Sequence, residues 1–175
     1  VKVRYERIRG IKNNIEDSSV TLMEYVVRVS PALLLKDNYV SVINNLLRST
    51  ENCEAASYRA LVLSNKRVES IPDMLYALIE SIIKNLTNML DSIDTMLTLL
   101  SVNPRKIDET YVEIMKLEST IDDFYRHAVI EVVKRFDSDV GSLVFFKELV
   151  DKLEDAADHL KDASTNIKYI ALHRV

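Results

Sequence analysis

Turn-forming residues are scarce in this chain: its 175 residues include 2 glycines and 3 prolines. Average usage would supply roughly 20 of the two together. Sandwiches, barrels and dinucleotide-binding folds need glycine for tight turns and phosphate loops, so they are excluded. So few breakers leave long uninterrupted elements, and long elements mean helices. Tryptophan is absent, and the single cysteine, Cys53, allows neither an internal disulfide nor a cysteine-based zinc site. A small buried hydrophobe is the ordinary reading of such a residue. No signal peptide is visible in the residues present. The most apolar stretch, Leu75 to Leu100, is broken by Glu80, Lys84, Asp91 and Asp94, which argues against a membrane span. The net charge of −4 gives no basic footprint for nucleic acid.

Hydrophobic residues make up 47% of the chain, enough for a core. The breakers divide the chain into five pieces. Ser30-Pro31 ends the first, and Asp37 is a candidate cap for the second. Ser70-Ile71-Pro72-Asp73, Asn103-Pro104 and Asp137-Ser138-Asp139-Val140-Gly141 open the remaining three. Each piece carries apolar residues at steps of three and four. The first stripe is Ile8, Ile11, Ile15, Leu22, Val26 and Val29. The third is Leu75, Ile79, Ile82, Leu86, Leu90, Ile93, Leu97 and Leu100. The fourth runs Ile107, Tyr111, Ile114, Leu117, Ile121, Phe124 and Ala128. The fifth runs Phe146, Leu149, Leu153, Ala156, Leu160, Ala163, Ile167 and Ile170. The second, through Val40, Ile43, Leu47, Ser57 and Leu61, is weaker. The expected fold is all-α: one elongated antiparallel bundle of about five long helices over residues 1–175. A faint repeat relates 37–102 to 104–172, placing Glu51, Tyr58 and Arg59 on Glu118, Tyr125 and Arg126.

Candidate chemistry concentrates in the last two helices. Glu154, Asp158 and Asp162 are spaced four apart and stack on one helical face; Glu118 and Asp122 do the same on the preceding helix. Like charges at that spacing repel by roughly 0.2–0.5 kcal/mol per pair. A bound hard cation would relieve the crowding. A plain solvated acidic face is the alternative, and periodicity leaves both open. No Glu-x-x-His di-iron pattern, H-E-x-x-H, G-x-S-x-G or phosphate loop is present. His159, beside Asp158, reads as an exposed side chain.

At these residues the sequence resembles the PhoU-like regulators of phosphate uptake. Leu153-Glu154-Asp155-Ala156-Ala157-Asp158-His159 is similar to the E-x-x-x-D helix motif of that family. Leu117-Glu118-Ser119-Thr120-Ile121-Asp122-Asp123-Phe124-Tyr125-Arg126 is similar to its other such helix, and Asp73 to Ile79 to the opening of an earlier one. The branch found beside Pit-type phosphate permeases is the nearest. The resemblance implies tandem helical repeats and a cluster of divalent or trivalent metal ions such as iron, zinc or magnesium. Its ligands here would be Glu118, Asp122, Glu154 and Asp158; Asp162 and Glu148 are added from their position on the helix. It also implies a non-enzymatic cytoplasmic regulator, peripheral to the inner face of the cell membrane through a phosphate permease or signalling protein, and able to bind inorganic phosphate. In the first half, Ala55 and Thr87 stand at two motif positions, so no metal site is expected there. The chain also lacks room for the sixth helix of the family, and an apolar stripe left bare by it would favour a homodimer. A metal-dependent phosphohydrolase and a metal-free helical scaffold are the competing readings.

Overall fold

The computed structural model describes residues 1–29, 33–66 and 71–174. They form five helices: α1 (Lys2–Val29), α2 (Lys36–Asn65), α3 (Asp73–Val102), α4 (Ile107–Phe136) and α5 (Val140–Leu172), with a 3-10 turn at Pro104–Lys106 before α4. The all-α bundle expected from the scarcity of glycine and proline is what the chain adopts. Ser30, Pro31 and Ser70 lie outside the described residues. Pro72 directly precedes α3, and Pro104 opens the turn that leads into α4. Asp139 caps α5 through its side chain, which accepts from the Ser142 N–H. Asp37 does not cap α2. It lies inside the first turn, where its charge suits the helix dipole, and the preceding Leu35 adopts a left-handed conformation with φ 58°.

α5 is the central element. It packs on α2, α4 and α3, while α3 and α4 also pack on each other. α2 runs antiparallel to α5: Asn38 bonds Asn166, the Ser49 hydroxyl donates to the Ala156 carbonyl at 2.9 Å, and Arg59 bonds Glu148. The Ser49 bond requires close backbones, and the small residues Ala156, Ala157, Ala163 and Ser164 on α5 permit that approach. α4 is antiparallel to α5 as well, linked by Tyr125 to Asp151 and Lys161 to Glu118. Arg174, just past the end of α5, donates to the Leu100 carbonyl, so α3 and α5 end at the same side.

The core follows heptads. Leu75, Ile82, Met89 and Met96 on α3 and Ile107, Ile114, Ile121 and Ala128 on α4 are almost wholly buried at seven-residue steps. α5 buries all eight residues of its expected stripe and adds Val150, Ala157, Ser164 and Ala171, because it has neighbours on two sides.

Two expectations about packing are corrected. On α3 the seam passes through Met89 and Met96, while Leu90 and Leu97 are 49% and 41% exposed. On α1 only Val26 of the expected stripe is buried; Ile8, Ile11 and Leu22 are exposed, since among the described residues α1 packs chiefly along α2 and uses Tyr5, Lys12, Ser19 and Val26 to do so. Sequence neighbours α2 and α3 do not form a hairpin. Each docks on α5 instead, so the two halves related by the 67-residue register are not packed alike.

Candidate functional site: the facing carboxylates of α4 and α5

The antiparallel docking of α4 on α5 turns the two E-x-x-x-D segments toward each other. Their apolar neighbours fix the orientation. Ile114, Ile121 and Ala128 of α4 are sealed in the core, as are Leu153, Ala156, Ala157 and Leu160 of α5. Glu118 and Asp122 on α4, and Glu154 and Asp158 on α5, therefore come out half-buried at the rim of the seam.

Lys161 is the centre of this rim. Its Nζ donates to Glu118 on α4 and, at 3.2 Å, to Asp158 on its own helix. The Glu118 side chain is 12% exposed and that of Lys161 29%, so this is a partly desolvated ion pair. Burial lowers the affinity of the Lys161 ammonium for its proton, but the bonds to Glu118 and Asp158 outweigh it and hold the group above the usual lysine range. Asp122 is bound by the Arg126 guanidinium at 3.2 Å, one helical turn on. Glu154 differs from its neighbours. Among the described residues no side chain pairs with it. Burial first, then the charges of Asp158 and Asp122, push its carboxyl from the ordinary 4.5 up to about 7.

Asp162 is exposed on α5 and makes no bond to this group; its backbone carbonyl accepts from Asn166. Glu148 faces α2 and bonds Arg59 at 3.1 Å. His159 is half-buried rather than exposed, with Nδ1 3.1 Å from Asn45 Oδ1 on α2, and so it points away from α4. Cys53 is half-buried and burial pushes its thiol up, which suits a packing residue. In the first half, Glu51 and Asp91 line separate clefts and do not meet.

Beside Glu154 lies a cleft of about 370 Å³ lined by Arg59, Tyr125, Lys147, Lys152, Asp151 and Asp155. Its lysines are already engaged: Lys147 with Asp151 and Lys152 with Asp155, both at 2.6 Å. Sequence spacing singled out the acids but not this lattice of cations. The only sequence sign was a lysine three or four positions from an acid, a spacing common on any charged helix.

The donor set suits a hard cation, since four carboxylates supply oxygen only. As they stand, no three of His, Cys, Asp or Glu among the described residues are disposed around one ion. Lys161 sits where a cation between Glu118 and Asp158 would sit, so a metal would have to displace its ammonium. Among the described residues no helix is long and apolar enough to cross a membrane. Compared with known proteins, the chain matches no family model, no curated protein and no solved structure.

Proposed function

We propose that this protein is a non-enzymatic accessory of inorganic phosphate transport that responds to divalent or trivalent cations through Glu118, Asp122, Glu154 and Asp158. The observation that supports this reading is the facing register of the two E-x-x-x-D helices, with Glu118 and Asp158 sharing one ammonium. In this account Lys161 is a built-in counter-ion. A hard cation there would be held by the carboxylates of Glu118, Asp122, Glu154 and Asp158 in place of the Lys161 ammonium, with the Glu154 proton released. The chemistry such a cation would supply is attraction for phosphate oxygens, which would link metal loading to phosphate. The protein works in the cytoplasm at the inner membrane face, docked on a phosphate permease or signalling protein.

Elemental analysis of purified protein, before and after reconstitution, tests the metal half. Stoichiometric metal that disappears in Glu154→Ala plus Asp158→Ala supports it. Metal-free protein after reconstitution favours the second reading, a helical scaffold in which Lys161 is the permanent counter-ion. Co-purification with a phosphate permease from membranes tests the partner. Metal-dependent hydrolysis of a phosphoester, lost in the same variant, would instead make the site that of a phosphohydrolase.

A further inference from the structure

Two helices keep an apolar face bare. On α1, Ile8, Ile11, Leu22 and Tyr25 are 38–58% exposed at coiled-coil spacing. On α3, Tyr76, Ile83, Leu90 and Leu97 follow one another at seven-residue steps and are 41–62% exposed. Within the described chain α1 is packed chiefly on α2, and α3 on α4, α5 and the short turn between α3 and α4. Among the described residues no helix covers either bare face.

The charges beside the two stripes are opposite in sign. Next to the α1 stripe, Arg7 lies one turn before Ile11 and Arg28 one turn after Tyr25. Next to the α3 stripe, Asp73, Glu80 and Asp94 each lie three residues before Tyr76, Ile83 and Leu97. Arg7 and Arg28 are three heptads apart, and so are Asp73 and Asp94. With the two helices parallel, the equal three-heptad spacing lets each arginine reach an aspartate across the seam. Among the described residues Arg7, Asp73, Glu80 and Asp94 have no ion-pair partner in their own chain, and Arg28 has a distant one, Glu24 at 3.9 Å. α1 with itself would set Arg7 against Arg28, and α3 with itself would oppose acids. The complementary surface for each stripe is the other one.

We propose that α1 of one copy docks along α3 of a second copy, the apolar stripes forming the seam and the Arg7/Arg28 and Asp73/Asp94 pairs its rim. Reciprocated by the second copy, the contact closes a two-fold pair. The occupant of both bare faces is therefore this same chain. The contact does not depend on metal binding by α4 and α5.

Charge reversal tests it. Wild-type protein is expected to sediment at twice 20.1 kDa at high concentration and to dissociate on dilution. Arg7→Glu plus Arg28→Glu leaves both helices acidic, and Asp73→Lys plus Asp94→Lys leaves both basic along the rim. Each variant is expected to weaken the dimer at least about tenfold, since like charges across an interface are costly. An equimolar mixture of the two is expected to restore the dimer mass, because each α1 then finds an opposite α3. Circular dichroism checks that both variants are folded. A wild type that stays monomeric at all concentrations overturns the proposal. So does a mixture of two folded variants that fails to associate, which would assign the bare faces to a different protein.

Discussion

Replacing Glu154 by glutamine removes one titrating group and little else, and its effect on stability has a defined pH dependence. The folded-state carboxyl is raised from the ordinary 4.5 to about 7 by burial and by Asp158 and Asp122. Between those values the folded chain holds a proton that the unfolded chain has released. Glu154 therefore contributes stability that is fully present below about pH 4.5 and is lost as pH rises through about 7. The whole rise would correspond to ~3 kcal/mol at 1.36 kcal/mol per pH unit. Solvent at a half-exposed side chain screens most of that and leaves on the order of 1 kcal/mol. Glutamine imitates the protonated acid at every pH. Urea unfolding followed by circular dichroism, in chelator, should give matching stabilities for Glu154→Gln and wild type at pH 4.5. At pH 8 the variant should be more stable by about 1 kcal/mol. A variant less stable than wild type at pH 8, or a difference that does not change with pH, refutes the reasoning.

Lys161→Met strands the partly buried Glu118 carboxylate and should lower stability in chelator by roughly 1–3 kcal/mol. The same change removes the competing cation, so Mn²⁺ should raise the melting temperature more in this variant than in wild type; an equal or smaller rise argues against displacement of Lys161. Ile114→Ala should cost about 2–5 kcal/mol by denaturant unfolding, since the side chain is wholly buried in the α3–α4–α5 core. Ile130→Ala, at a half-exposed position on the same helix, should cost under about 1 kcal/mol, and equal costs would displace the seam.

The all-helical class was legible because it depended on chain-wide composition and on Pro72, Pro104 and Gly141, which stand at helix starts. All eight residues of the expected α5 stripe are buried, since this helix has neighbours on two sides, although Val144, Tyr169 and Leu172 remain exposed. α3 was misread by one position at Met89-Leu90 and again at Met96-Leu97. Two adjacent apolar residues offer two phases, and only the packing partner chooses between them. α1 was misread because most of its stripe, with Ile8, Ile11 and Leu22, lies off the line of Tyr5, Lys12, Ser19 and Val26 that packs on α2. That α2 and α3 dock on α5 rather than on each other was not legible, since loop length limits where a helix can go without deciding which neighbour buries more surface. At the site, the E-x-x-x-D spacing told which acids share a helical face, and the docking of α4 on α5 decides that the two faces meet. Lys161 as the bridge was not legible, because its partner Glu118 lies on another helix and the link exists only in the docked register. The tilt of His159 toward Asn45 on α2 was hidden for the same reason.

Calorimetric titration of Mn²⁺ into chelator-stripped protein tests the central claim most directly. It would compare wild type, Glu154→Ala plus Asp158→Ala, and Glu51→Ala plus Asp91→Ala. Saturable binding is predicted for the wild type and for the Glu51/Asp91 variant, with loss of binding in the Glu154/Asp158 variant. Absence of binding to the wild type, or undiminished binding to the Glu154/Asp158 variant, would contradict a cation site between α4 and α5.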